Sequence, residues 1–395
     1  MASECFNEDE LILIPYDRSN LWKKKLKPVI ATMKIWGFYM NGNLCQSVWS
    51  KLIFIYMHIY IIYMIIFTSK LIYFKESFWI AISNIIYLII ASIVLLSHYK
   101  MNLFVHRLNH SFSNISNHNF LEFADYRVSL RDKFRMMMFW LFCISCTFYI
   151  VWDFLKGGLN NYYEFKLFGL DPNIFPKVIA YGIAIFIELS FALTFKAGEK
   201  LMCFYFSSIC RFVSFEFTSL KCSVSQISSS WNRDPGRQKL LLSMDRYMDL
   251  CDVVGLIDLV MSPLLFLLSM SLALQIIYDG NYICKAVNFC SDPCYCIQYF
   301  VDFLMIIIAF IDVFMSSSSI TMEAQEMSPV IYKIASSQEC HGKDHLRSRI
   351  GLWYWKIITD PPKISGFGTF GINRSCLLNI LGVVITFVVI MYELA

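Results

Sequence analysis

The chain has 395 residues, of which 57% are hydrophobic, 17% aromatic and only 16% charged, and its mean hydropathy is +0.53. Soluble proteins usually carry about 25% charged residues, so this composition excludes a disordered chain and an ordinary soluble enzyme. The net charge of +4 is too small to indicate a nucleic-acid partner. The sequence therefore predicts a protein that spans a lipid bilayer.

Seven apolar stretches are each close to the length of about 20 residues that a helix needs to cross a membrane. They cover residues 52–68, 78–97, 136–155, 174–195, 255–278, 298–317 and 375–394. A helix satisfies its own backbone hydrogen bonds in lipid. We therefore predict an all-α integral membrane protein with seven transmembrane helices.

The lysine and arginine residues predict the orientation of these helices. Residues 1–50 and the loops after the second, fourth and sixth helices hold 27 of them, whereas the loops on the opposite side hold 6. Cytoplasmic loops carry the excess of basic residues, so we place the N-terminus inside and the C-terminus outside. The sequons at Asn109, Asn114 and Asn373 then all lie inside, where glycosylation does not occur.

Four cysteines crowd the short outer loop between the fifth and sixth helices. Cys284, Cys290, Cys294 and Cys296 are disulfide candidates because disulfides persist outside the cell, and their three possible pairings stay open. A zinc site is the weaker alternative, since no histidine lies in this loop. We predict no metal site and no cofactor.

We predict neither a G-protein-coupled receptor nor an enzyme. The tripeptide Asp245-Arg246-Tyr247 has the same letters as the DRY motif of G-protein-coupled receptors. That receptor class places its N-terminus outside and carries the motif after its third helix, whereas here the tripeptide precedes the fifth. We interpret it as a coincidence and expect that no G protein is required. The sequence carries no HExxH, GxSxG or nucleotide-binding loop, so it gives no catalytic constellation.

The predicted cytoplasmic side is longer than simple loops require. Residues 196–250 are amphipathic, with apolar residues at helical spacing among Lys, Glu and Ser. Residues 319–338 and 347–358 predict further helices, the second of which ends before Asp360-Pro361-Pro362. Composition fits two interpretations equally: helices that pack against each other below the membrane, or helices that lie on the lipid headgroups.

The last residues of the chain carry the most specific pattern: Thr386-Phe387, five residues over 388–392, then Glu393-Leu394. This pattern resembles the motif that ends insect gustatory receptors, which is Thr-Tyr, five hydrophobic residues and Gln-Phe. Phe387, Glu393 and Leu394 depart from that motif, and Glu393 puts a charge where the family has a neutral amide. The related odorant receptors share the fold, so an odorant receptor is the alternative within it.

The resemblance implies a homotetrameric, ligand-gated, non-selective cation channel in the plasma membrane of chemosensory neurons. Its expected partners are a small-molecule tastant, membrane lipid and the permeant cations Na⁺, K⁺ and Ca²⁺. It also implies a division of the chain into a cytoplasmic region over 1–50, helices one to six over 51–317, cytoplasmic anchor helices over 318–372 and a pore-lining helix over 373–395. Because the family has such an anchor domain, the resemblance favours cytoplasmic helices that pack against each other over helices that lie on the lipid headgroups.

The seventh helix places small and polar residues ahead of bulky ones on one stripe. Asn379 and Thr386 suit a wall that faces water, while Ile390 and Leu394, which align with the gate of the family, suit an apolar constriction that blocks ions by dewetting. Glu393 is expected to form a ring of four carboxylates at the outer mouth. The stripe alone, without the resemblance, fits ordinary packing between helices better.

The family's ligand pocket lies in the outer half of helices two to six. The aromatic and polar residues of that region are Tyr149, Trp152, Tyr181, Gln275, Tyr278, Tyr299, Asp302 and Phe303. Asp302 is singled out because an ionisable residue within a span usually faces the protein interior. We expect a bitter or plant secondary compound as the tastant, with a sugar as the alternative. A multispan transporter is the alternative of a different class, against which stands the lack of an internal repeat.

Overall fold

The computed structural model describes residues 26–38, 44–73, 78–116, 130–157, 176–227, 234–289, 293–336 and 344–393. Almost all of these residues are helical, as the apolar composition predicts. The helices are α1 (Lys27–Ile35), α2 (Leu44–Tyr73), α3 (Phe78–Ser116), α4 (Leu130–Gly157), α5 (Lys177–Phe191), α6 (Ala197–Ile227), α7 (Asp234–Phe289), α8 (Pro293–Gln325), α9 (Ser328–Ser336), α10 (Asp344–Thr359) and α11 (Arg374–Glu393). A π-helical turn, Ala192–Lys196, joins α5 to α6, and two short strands, β1 (Ser365–Gly366) and β2 (Phe370–Gly371), form a hairpin before α11.

Five stretches of the described residues are long and apolar enough to cross a membrane. They are Ser47–Ile66, Asp132–Lys156, Val178–Ile227, Gly236–Gly280 and Ile297–Ser336. The bent pair Ile85–Met101 and Phe104–Phe112 adds a sixth if it is counted as one span, and Arg374–Ile390 is a shorter apolar helix. The all-α membrane fold is thus confirmed, while seven spans and the orientation of the termini stay predictions.

The core of the bundle is formed by α6, α7 and α8, which pack closely on one another, with α3 against α7 and α4 against α8. α6 lies at the centre of the bundle. An unbroken run from Ala197 to Cys210 is buried, so this part of the helix is enclosed on every side and not only along the apolar stripe that the amphipathic pattern predicted. α2 packs on α3 at the edge of the bundle, and α11 packs on α7 and α8.

The ends of α6, α7 and α8 that carry the predicted cytoplasmic segments pack against each other and against α9 and α10. Arg246 on α7 donates to Glu216 on α6 at 2.6 Å, with both side chains buried. Tyr247, the last residue of the DRY tripeptide, lies edge-on to Trp353 of α10, with ring centroids 5.9 Å apart. These contacts agree with the packed interpretation of the segments and give the tripeptide a structural role.

Three features differ from the predicted elements. No helix was predicted within residues 1–50, but α1 lies there and buries Val29, Ile30 and Met33. The predicted helix over 319–338 is interrupted, because α8 ends at Gln325 and α9 begins at Ser328. α3 continues to Ser116, well beyond the apolar stretch that ends at 97, because hydropathy detects the part of a helix that meets lipid and not its polar extension.

The break ahead of α11 agrees with the sequence, since α10 ends just before Asp360 and Pro361. The hairpin in the break was not predicted. Its turn holds Phe367 at φ 57° and Gly368 at φ 70°, and an added Cβ on Gly366 would lie 2.5 Å from the ring of Phe370. Glycine at 366 is therefore required for the close approach of the two strands.

Candidate functional site

Five ionisable side chains meet inside the helix bundle, and we call them the charge cluster: Lys196, Glu199, Lys200, Asp279 and Asp302. Lys196 ends the π-helical turn, Glu199 and Lys200 begin α6, Asp279 lies on α7 and Asp302 on α8. All except Lys196 are buried, and the Lys196 side chain is 21% exposed. Charged groups are rarely buried in this way unless they are paired, so the pairing within the cluster decides its chemistry.

Asp302 is held by both lysines. Lys196 Nζ donates to Asp302 Oδ2 at 3.0 Å, and Lys200 Nζ lies 3.4 Å from Asp302 Oδ1. Lys200 also donates to Gln275 Oε1 at 3.0 Å. The carboxylate that the sequence singled out is therefore neutralised by the protein itself.

Glu199 is satisfied by α7. Ser271 Oγ donates to one carboxylate oxygen at 2.6 Å and Gln275 Nε2 to the other at 2.8 Å, while Lys200 Nζ lies 3.7 Å from it. Ser271 and Gln275 are one helical turn apart on the same face of α7. The carbonyl oxygen of Gln275 thus accepts from the Lys200 ammonium group, and its amide NH₂ donates to the Glu199 carboxylate. These two bonds fix the orientation of the side-chain amide.

The π-helical turn brings Lys196 to the cluster. A π turn inserts one extra residue into a helix, and such turns occur often at functional sites. Trp36, which follows α1, donates its indole Nε1 to the carbonyl of Leu193 within the turn at 2.5 Å. Lys196 Nζ also lies 5.2 Å from the ring centroid of Tyr87 on α3, within the range of a cation–π contact.

The charge cluster borders a small cavity of about 10 Å³, which is room for about one water molecule. Three elements of the bundle and the π turn contribute its walls. The residues that line it are Ile86, Tyr87, Ile90, Lys196, Gln275, Tyr278, Asp279 and Asp302. Carboxylates, an amide, an ammonium group and two phenol rings thus face one enclosed space.

The structure brings three of the eight predicted ligand residues together around this cavity: Gln275, Tyr278 and Asp302. Trp152 is 40% exposed and stacks on Phe148. The other four residues are half-buried elsewhere in the bundle: Tyr149, Tyr181, Tyr299 and Phe303.

Sequence reasoning missed most of the charge cluster. The fourth span was ended at 195 because Lys196, Glu199 and Lys200 were taken to mark the cytoplasmic edge. The structure brings these residues into contact with Asp302 and Gln275, which the sequence analysis placed in the outer half of the bundle. One signal in the sequence could have revealed the cluster. Lys196 and Lys200 are four residues apart, so they lie on the same face of a helix and can contact the same partner.

A second set of buried charges lies between α4, α6 and α8. Arg135 pairs with Asp312 and lies 3.2 Å from Asp132. Arg211 lies 3.0 Å from Asp132 and 3.3 Å from Asp312. Two cations thus share two carboxylates, and the set is balanced in charge. Asp312 on α8 thus joins α4 and α6 through these pairs.

The hairpin is fastened to α7 by Asp258 and Ser262. Asp258 accepts from the backbone N–H of Ser365 at 2.7 Å and from its hydroxyl at 2.9 Å. The backbone N–H of Phe367 donates to the carbonyl of Ser262 at 3.2 Å, one residue before Pro263, which lies inside α7. The segment that leads into α11 is therefore held on α7.

α11 buries one side and exposes the other. Leu377 and Val384 are buried, whereas the predicted pore residues Asn379, Thr386, Ile390 and Glu393 are all exposed on the single chain. Leu394 lies outside the described residues, as do Cys290 and the side chains of Cys284, Cys294 and Cys296. Cys143 and Cys146, which were interpreted as packing residues, are buried free thiols.

The architecture defines a class of protein. It is similar to the olfactory receptor OR5 from Machilis hrabei solved in complex with eugenol, with a TM-score of 0.68 over 96% of this chain and 100% of that chain at 14% identity. A second structure of the same receptor gives a TM-score of 0.58 with the same identity and coverage. The fold is that of the insect chemosensory receptors.

The family model described as trehalose receptor matches residues 190–395, which include α6 to α11 and both lysines of the charge cluster. The chain belongs to this family of insect gustatory receptors, as the pattern at its C-terminus indicated. No curated protein shows significant similarity to the chain.

Proposed function

We propose that this protein is a gustatory receptor that acts as a ligand-gated, non-selective cation channel. The observation that carries the proposal is the position of α11. Its 20 residues span about 30 Å, and it packs on α7 and α8 along one side only. The exposed side carries Asn379, Thr386 and Ile390, with the Thr386 hydroxyl bonded to the Gly382 carbonyl of the same helix at 2.8 Å.

Four copies arranged around α11 account for that exposed side. The rings of Asn379 and Thr386 give the conduction path polar walls, and the ring of Ile390, with Leu394, closes it by dewetting. Na⁺, K⁺ and Ca²⁺ pass when ligand draws these helices apart. α10 supports the assembly, because Leu352, Trp355 and Ile358 are exposed at a spacing of three residues, as expected for a helix face that meets another subunit.

The orientation in the plasma membrane follows from the basic residues. Lys196 and Lys200 leave the cytoplasmic count because they lie in the charge cluster, and 25 basic residues against 6 still favour a cytoplasmic N-terminus. Epitope tags on Met1 and Ala395 test this in intact cells. Antibody access to the Ala395 tag alone supports the channel, and access to the Met1 tag alone refutes it.

The cavity favours a hydroxyl-rich tastant over the bitter compound predicted from the sequence. Four of its eight lining residues, Lys196, Gln275, Asp279 and Asp302, carry charged or amide groups that can hydrogen-bond hydroxyl groups, whereas a pocket for an apolar plant compound is expected to have only a few polar groups. The family description also names a sugar. A sugar is therefore the ligand class we propose, with a bitter compound as the second candidate.

The decisive experiment is expression of this chain alone in cells that lack chemosensory receptors. We expect an inward cation current on application of a sugar panel or an alkaloid panel, with no change when G-protein signalling is blocked. Ligand uptake without current would support the transporter. A current that disappears with the G-protein block would refute direct gating.

A further inference from the structure

The positive and negative charges of the charge cluster are unequal in number. Lys196 and Lys200 supply two positive charges, and Glu199, Asp279 and Asp302 supply three carboxylates. Both lysines are engaged with Asp302, and Lys200 also lies near Glu199. One carboxylate therefore has no cation of its own within the cluster.

That carboxylate belongs to Asp279. Its residue is only 6% exposed, yet within the described part of the chain no hydrogen bond or ion pair within 4 Å reaches it. By contrast, Glu199 accepts hydrogen bonds from two side chains and Asp302 is within 3.4 Å of two ammonium groups. A buried polar group without a partner is costly and rare in a folded protein.

Asp279 also lines the cavity, where it faces Tyr278 and Gln275 of α7, Tyr87 of α3, Lys196 of the π turn and Asp302 of α8. Of the three carboxylates in the cluster, Asp302 and Asp279 reach the cavity. Asp302 has two ammonium groups within 3.4 Å, although its Oδ1 makes no hydrogen bond, whereas Asp279 has neither a hydrogen bond nor an ion pair among the described residues. Ionised carboxylates accept hydrogen bonds and cannot donate them. The group that completes this site must therefore bring a hydrogen-bond donor.

We propose that Asp279 is the residue that accepts hydrogen bonds from the tastant, and that the tastant carries hydroxyl or protonated amine donors. This inference rests on the proposed function and replaces Asp302 as the acidic contact expected from the sequence. The cavity holds about one water molecule, so the structure is the contracted form, and a ligand that reaches Asp279 must part α3 from α7. The ion pairs of Asp302 with Lys196 and Lys200 then stay in place on one side of the site.

The position of Asp279 connects binding to the rest of the bundle. Gly280, the next residue, is the point where α7 meets Val388 of α11, and an added Cβ on Gly280 would lie 3.3 Å from Val388 Cγ2. Ligand at Asp279 therefore acts on α7 next to its contact with the proposed pore helix.

Binding to the purified full-length chain in detergent tests the proposal without requiring ion flow. The probes are trehalose, sucrose and myo-inositol as neutral polyols, and quinine as a protonated amine. Thermal stabilisation as a function of ligand concentration gives the dissociation constant for each. We expect at least one probe to bind the unchanged protein, and Asp279→Asn to weaken its binding roughly tenfold for a polyol and more for the amine, because the amide keeps the shape but loses the charge.

Asp153→Asn is the matched control. Asp153 is a half-buried carboxylate on α4 that does not line the cavity, so we expect unchanged dissociation constants. Equal weakening in both variants, or unchanged binding in Asp279→Asn with normal thermal stability, overturns the proposal, and so does a failure of every polyol and amine to bind the unchanged protein. Because the readout is binding, normal binding without current would refute the channel and leave Asp279 as the ligand contact.

Discussion

Gly280 on α7 lies directly against Val388 on α11, and this contact joins the helix that borders the cavity to the proposed pore helix. An added Cβ would lie 3.3 Å from Val388 Cγ2, which is closer than most side-chain contacts, and 3.6 Å from the ring of Phe303, which is an ordinary contact distance. Helices approach this closely in membranes where one of them has a small residue. The two helices are therefore mechanically coupled one residue from Asp279.

Replacement of Gly280 by alanine should shift channel gating. The added methyl group overpacks the contact that holds α11 on α7, a change that costs on the order of 1–3 kcal/mol in a tight core. We expect it to disfavour the closed arrangement and to lower the ligand concentration for half-maximal current by about threefold to tenfold.

Gly255 offers the matched control for this substitution. It lies on the same helix, and an added Cβ there meets nothing within 4 Å, so Gly255→Ala should leave the dose–response curve in place. A Gly280→Ala channel with an unchanged curve would show that the contact does not take part in gating.

Asp258 should be needed to keep the hairpin on α7. Alanine at this position removes the acceptor of the Ser365 N–H and hydroxyl, and each lost partner leaves a buried donor at a cost of about 1–3 kcal/mol. We expect a lower melting temperature of the detergent-solubilised protein and a weaker maximal current. Asp252→Ala, which removes an exposed carboxylate of the same helix, should change neither; equal losses in the two variants would count against the hairpin contact.

The buried pair of Arg246 and Glu216 should stabilise the inner part of the bundle only as a pair. Arg246→Met leaves the Glu216 carboxylate buried without its cation, which typically costs about 3–5 kcal/mol. The double variant Arg246→Met, Glu216→Leu should recover most of that loss, since an apolar pair of similar volume fits the same space. Thermal melting of the three proteins measures this, and a double variant as unstable as the single one would contradict the explanation.

Glu393 provides a test of the proposed pore. If four carboxylates ring the outer mouth, Glu393→Gln should lower the permeability to Ca²⁺ relative to Na⁺, seen as a negative shift of the reversal potential in external Ca²⁺. Ser375→Ala, at the other end of α11, should leave the reversal potential unchanged. An unaltered reversal potential in Glu393→Gln would place this carboxylate away from the ion path.

Hydropathy and helix-breaking residues were sufficient to predict the helical plan of the chain. Each predicted span overlaps a helix, and Asp360-Pro361-Pro362 correctly marked the break before α11. α1 was missed because its nine residues are shorter than a membrane span and follow a run of lysines. The hairpin was missed because its two-residue strands depend on backbone contacts with α7 that no local pattern records.

The charge cluster could not be predicted because its pairing joins distant parts of the chain. Lys196 and Asp302 are 106 positions apart, and hydropathy lowers the score of a span at each of them without any information on their pairing. Asp302 stood out because it is isolated within an apolar run, whereas Asp279 directly follows the fifth predicted span, which ends at 278, and was not singled out. Only the three-dimensional pairing shows that Asp302 lies beside two ammonium groups while Asp279 has no ion pair among the described residues.

The indole N–H of Trp36 donates a hydrogen bond to the Leu193 carbonyl. This bond connects the N-terminal segment of the chain to the π turn at the centre of the bundle. Without this donor the Leu193 carbonyl would lose a partner inside the π turn that ends at Lys196. A segment that precedes every predicted span therefore contributes to the geometry that places an ammonium group at the charge cluster.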